Sequence, residues 1–165
     1  MIKILFVCHG NICRSPMAEF VMKDMVKKAG YRAASARDQY AGSADFIIDS
    51  AATSREEIGC GVHRGTRRKL AEVGIPCGDH RARQVTKQDY EDYDLLIIMD
   101  KENLLGIRRI IPDDPEGKIH MLMEYTGKTR DVADPWYTGN FDVAYEDIIR
   151  GCRALLQKII LQKII

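Results

Sequence analysis

The chain has 165 residues, 45% of them hydrophobic and 30% charged, and a formal net charge of +1. That length suits one domain with a real core, and the balance is that of an ordinary soluble globular protein. Nothing in the charge points to a nucleic-acid partner.

The N-terminal "MIKILFVC" carries only a short apolar run and no cleavage-site pattern. It is expected to be neither a signal peptide nor a membrane span. Residues 2–7 form a continuous apolar, β-branched run, as in a buried parallel strand. Ser15 reads as an N-cap and Pro16 as a first helical residue; Met17, Phe20, Val21 and Met25 continue at helical spacing to Lys28, and Gly30 stops the helix. Residues 31–44 read as a surface insertion. A second strand is expected over 45–51 and a helix over 65–74, closing on Gly74. A third strand covers 92–100, a helix covers 101–111 and ends at Pro112, and 118–125 holds the fourth strand. The last helix starts near Phe141, with Tyr145, Ile148, Cys152, Leu155 and Ile159 at helical spacing. "LQKII" then occurs twice, over 156–165. A five-residue period turns the second copy onto another helix face. This atypical tail is open to three readings: a frayed end, a partner contact or added sequence.

Strands alternating with helices predict a single α/β domain over 1–165, a doubly wound, four-stranded parallel sheet with helices on both faces. Ligands in such folds bind at the carboxyl ends of the strands, beside the first strand-to-helix loop. Here that loop is Cys8-His9-Gly10-Asn11-Ile12-Cys13-Arg14-Ser15, a C-x5-R followed by serine. A loop leading into a helix can turn successive backbone N–H groups inward to hold an oxyanion. Gly10 and Asn11 are residue types that tolerate positive φ. Arg14 can fork onto two phosphate oxygens. The same field favours the thiolate form of Cys8, a nucleophile aimed at phosphorus. A lone cysteine at a strand end is ordinarily a core thiol; the whole octet argues against that here. With Cys8, cysteines 13, 60, 77 and 152 make five, an odd total without CxxC pairs, as expected for reduced thiols in a cytoplasmic protein, one or two of them chemically active.

"VCHGNICRSPMAE" closely resembles the anion loop of low-molecular-weight protein tyrosine phosphatases. "DSAATSREEIG" (49–59), "HRARQVTKQDYEDYDLLIIMD" (80–100), "ADPWY" (133–137) and the final helix resemble the same family, in family order. The resemblance implies a metal-independent enzyme with no cofactor, acting on phosphotyrosine proteins, with no nucleic-acid or membrane partner; oligomeric state stays open. It implies Cys8 as nucleophile, Arg14 as phosphate ligand and Asp134 as general acid and then base. Such an acid is chemically required, because tyrosine otherwise departs as a phenolate. Trp136 and Tyr137 would wall the substrate cleft. Asn11 would hold the loop by side-chain hydrogen bonds and Ser15 would bond the nucleophilic sulfur, while Ser50, His80 and Asp100 belong to the supporting network. Cys13 would form a reversible disulfide with Cys8.

Three departures bear on specificity. His9 stands where the family often has leucine, Arg55-Glu56-Glu57 where an aromatic residue is often found nearby, and Cys60 at a usual asparagine. His9 and Glu56 would make the rim more polar. Rival activities on this fold fit less well. A thioredoxin-coupled arsenate reductase needs two more cysteines in one short segment, and a protein-arginine phosphatase typically has threonine where Ile12 stands. A phosphopeptide-binding module needs neither Cys8 nor Asp134, and no nucleotide-binding glycine motif is present.

Overall fold

The computed structural model describes residues 1–163; the last two residues of the repeated tail lie outside it. Its sheet is parallel throughout, in the order β2-β3-β1-β4-β5, with β1 Ile2–Cys8, β2 Ala33–Ala34, β3 Phe46–Ala52, β4 Leu95–Ile98 and β5 Ile119–Met121. The helices are α1 Arg14–Lys28, α2 Arg64–Glu72, α3 Lys87–Asp92, α4 Lys101–Arg108, α5 Pro135–Thr138 and α6 Phe141–Lys163.

The sheet has five strands rather than the expected four. The additional strand is β2, whose two alanines pair with Phe46 and Ile47 at the sheet edge. Two residues are too few to display the alternation that marks a strand. β2 lies inside the segment read as a surface insertion, and most of 35–44 does run exposed.

Side chains alternate across β1 as a pleat requires. Ile4 and Phe6 enter a core with Met17 and Val21 of α1 and Ile148 and Cys152 of α6. Leu5 and Val7 enter a second core with Tyr90 and Tyr93 beside α3 and with Ile107 and Ile111 at α4. Both sheet faces are thus covered, and burial on both explains why β1 reads as an unbroken apolar run. The first LQKII copy contributes Leu156 and Ile159 to the first core, whereas Leu161 of the second is 76% exposed. α6 continues into that second copy as far as Lys163.

β1 is central, flanked by β3 and β4. Its carboxyl end delivers Cys8 to a crevice between the loops that follow those two neighbours. Ser15 does not cap α1. The helix begins at Arg14, the capping position is Cys13, and no side chain caps it. The free N–H groups of this helix start are turned to another use.

Candidate active site

Three groups converge on Cys8 Sγ. The Asn11 N–H donates at 3.3 Å, the Ser15 N–H donates at 3.4 Å, and Ser15 Oγ lies at 3.0 Å. Ser15 Oγ already accepts from Asn11 Nδ2 at 2.8 Å, which leaves its own proton for the sulfur or for Ala51 O at 3.5 Å. Donors gathered on one sulfur stabilise its anionic form.

The loop takes this shape through Asn11, the non-glycine residue with positive φ among the described residues, at 59°. Asparagine tolerates that region better than other side chains. Gly10 does not adopt positive φ; its lack of a side chain serves close approach. A Cβ there would lie 3.3 Å from Cγ of Glu57, whose stem lies over the loop. Asn11 is locked from three sides. Its carbonyl accepts from His80 Nε2 at 2.8 Å, so that nitrogen carries a proton; its Oδ1 accepts from the Arg83 N–H at 3.2 Å; its amide meets Ser15.

Arg14 is 2% exposed. Nη1 donates to Asp100 Oδ2 at 2.7 Å and to Val132 O at 2.7 Å, and Nη2 donates to Asp134 Oδ2 at 3.3 Å. A buried cation needs such compensation. Burial pushes its pKa down, but Cys8, Asp100 and Asp134 outweigh this and hold it above the ordinary arginine value. Asp100 does two things at once. Oδ1 caps α4 by accepting from the Asn103 N–H at 2.7 Å while Oδ2 holds Arg14. Asp134 likewise caps α5, Oδ1 accepting from the Trp136 N–H at 3.0 Å.

Cys8, His9, Gly10, Ile12, Cys13 and Arg14 line a cleft of about 320 Å³ together with Glu56, Glu57, Asp134, Trp136 and Tyr137. Trp136 and Tyr137 are 57% and 81% exposed, so they form a wall rather than core. His9 Nε2 meets Glu56 Oε2 at 3.0 Å on the rim. Burial, with Cys8 adding to it, raises the Cys13 thiol to about 12. It stays protonated, leaving Cys8 as the reactive sulfur of the loop.

Ser50 stands apart from this constellation. Its hydroxyl donates to Glu19 Oε1 at 2.7 Å, and Glu19 pairs with Lys23 at 2.7 Å. None of these bonds reaches the loop; Ser50 and His80 line one surface pocket.

Four contributors leave little or no trace in the sequence: Arg83, Asp89, Val132 and His63. Arg83 is forked onto Asp89 at 2.9 and 3.0 Å, and its backbone holds Asn11. Asp89 is fixed by a capping box with Thr86, and that T-x-x-D spacing was a readable local signal. The Val132 carbonyl on Arg14 left no signal, since any residue supplies one. His63, whose N–H donates to Ile12 O at 2.8 Å, was also overlooked.

Residues 3–163 match the family model described as low molecular weight phosphotyrosine protein phosphatase. The chain is 38% identical over 161 residues to the low molecular weight protein-tyrosine-phosphatase YfkJ of Bacillus subtilis, covering 96% of each. A crystal structure of that protein superposes with a TM-score of 0.87 over 99% of this chain and 97% of the other. A Drosophila arginine phosphatase structure, 30% identical, superposes with a TM-score of 0.80 over 95% of this chain and 97% of that one. Among the described residues no helix is long and apolar enough to cross a membrane.

Proposed function

The chain belongs to the low molecular weight phosphotyrosine protein phosphatase family, and from that membership and the loop geometry we propose that it hydrolyses phosphotyrosine and small aryl phosphates through a phosphocysteine on Cys8. The observation that carries the reading is the convergence of the Asn11 and Ser15 donors on Cys8 Sγ, beside the buried Arg14 and within one cleft with Asp134.

The phosphate dianion sits in the loop of residues 8–15, held by backbone N–H groups and Arg14. Cys8 attacks phosphorus in line. Charge spreads onto the equatorial oxygens, and the loop and Arg14 stabilise it. The P–O bond to the tyrosine oxygen breaks as Asp134 gives that oxygen its proton. Asp134, now a carboxylate, takes a proton from water; the resulting hydroxide oxygen attacks phosphorus, the P–S bond breaks, and Cys8 thiolate and phosphate are restored. Ser15 and the N–H donors steady the thiolate as both attacking and leaving group. Asn11 and His80 keep the loop in its left-handed turn, and Asp100 holds Arg14 in place.

An aryl group fits the remaining surface. Ile12 is apolar and lines the cleft, and Trp136 and Tyr137 line the same cleft as the His9–Glu56 pair. Ile12 also favours tyrosine over a phosphorylated guanidinium, which would present N–H groups needing an acceptor. The reading is tested by measuring kcat/KM on matched phosphotyrosine and phosphoarginine peptides and by an arsenate reduction assay. It requires the phosphotyrosine peptide to lead clearly; faster turnover of phosphoarginine, or arsenate reduction, overturns it.

A further inference from the structure

We propose that His63 is a positioning residue that holds Trp136, and with it Asp134, against the anion loop. The proposal rests on the reading of Asp134 as general acid.

Three contacts of His63 reach separate parts of the site, and a fourth caps its own helix. Its backbone N–H donates to Ile12 O in the anion loop at 2.8 Å. Its ring stacks on Phe141, the first residue of α6, with centroids 5.2 Å apart and planes 17° from parallel. The same ring meets the Trp136 indole edge-to-face, at 5.8 Å and 75°. Its Nδ1 accepts from the Gly65 N–H at 3.0 Å, capping α2 and fixing the ring plane. An accepting Nδ1 is unprotonated. Burial and the neighbouring Arg64, against an opposing pull from Glu57, hold this imidazole below its ordinary value, in keeping with a neutral ring.

The stack is built into the sequence. A Cβ on Gly65 would lie 2.3 Å from two ring carbons of Phe141, so glycine is what admits that ring over the first turn of α2. From Trp136 the coupling passes directly to the acid, because the Trp136 N–H donates to Asp134 Oδ1 at 3.0 Å. His63 thus ties the loop that holds phosphate to the short helix that carries the proton. Reacting groups held from separate segments are sensitive to displacements of an ångström.

Two variants of the full chain test this. His63→Asn keeps a good capping residue and removes the ring; Gly65→Ala leaves His63 intact and displaces Phe141. The readouts are the emission of Trp136, the chain's single tryptophan, the melting temperature, and kcat and KM on a phosphotyrosine peptide and on para-nitrophenyl phosphate. Both variants should shift the emission to the red and lower kcat on phosphotyrosine about tenfold. The loss on para-nitrophenyl phosphate should stay below about twofold, since that leaving group needs little acid help. His63→Asn should melt near wild type. Unchanged emission in His63→Asn, or equal losses on the two substrates, overturns the proposal. A wild type that hydrolyses neither substrate instead overturns the phosphatase reading on which it rests.

Discussion

Arg14 and Asp134 meet at 3.3 Å, Nη2 to Oδ2, although 120 residues separate them in the chain. The cation that would hold phosphate and the carboxyl that would protonate its leaving group are therefore brought to one edge of one cleft. The meeting is enforced from both ends, since Asp134 is fixed as the cap of α5 and Arg14 by Asp100 and Val132 O.

Asp134→Asn should discriminate between leaving groups. Phenolate from tyrosine, with a pKa near ~10, needs a proton. The variant should lose roughly 10²–10⁴-fold on phosphotyrosine and clearly less on para-nitrophenyl phosphate. Equal losses on both would show that Asp134 positions the substrate or the loop; Asp131 would then be the next carboxyl to test.

Asp100→Ala should cost stability as well as activity. It strips a 2%-exposed arginine side chain of its closest carboxylate and removes the α4 cap. Leaving a buried charge fully unpaired costs about 3–5 kcal/mol, an upper bound here because Asp134 and Val132 O still hold Arg14, and a lost cap costs about 1. Chemical denaturation should show a fall of that order. A variant as stable as wild type would mean that Asp134 and Val132 O suffice for Arg14.

The rim should select by charge. Glu56, paired with His9, and Glu57 line the cleft with the exposed Trp136 and Tyr137, so peptides with basic residues next to phosphotyrosine should be preferred. Glu56→Lys should reverse the order, and added salt should shrink it. Flanking charge that changes kcat/KM by less than about twofold in both proteins would remove the idea, whatever the screening.

Mild peroxide should inactivate the enzyme reversibly. Peroxide converts the Cys8 thiolate to a sulfenic acid, and Cys13 displaces water from it to form a disulfide. The Cys13 thiol, held at about 12 partly by the charge of Cys8, loses that contribution once Cys8 is oxidised. Cys13→Ser should then lose its thiol-dependent recovery. A wild type that accumulates sulfinic acid on Cys8 with no disulfide peptide contradicts this.

How legible the molecule was in its sequence depended on distance along the chain. The residue 8–15 loop is contiguous, so strand, anion loop and helix start could be read together; β1 followed from its unbroken apolar run, and α1 and α6 from helical spacing. The two-residue β2 carries no period, and Ser15 reads locally as a cap although its hydroxyl serves Cys8. The bonds that set the site, Arg14 to Val132 O, Arg83 to Asn11, and His63 to Trp136 and Phe141, join segments whose proximity only the folded sheet creates. Asp100 and Asp134 were readable by family resemblance; that each also caps a helix was not.

The central claim is that the phosphoryl group passes through Cys8. Its most direct test is acid quenching during steady-state turnover, followed by mass analysis of the peptide spanning the anion loop, in wild type and in Cys8→Ser. The account predicts one phosphate on Cys8 in the wild type. In Cys8→Ser it predicts no turnover, while vanadate binding persists because Arg14 and the loop N–H groups remain. A Cys8→Ser protein within about tenfold of wild-type activity, or a trapped phosphate on any other residue, would contradict it.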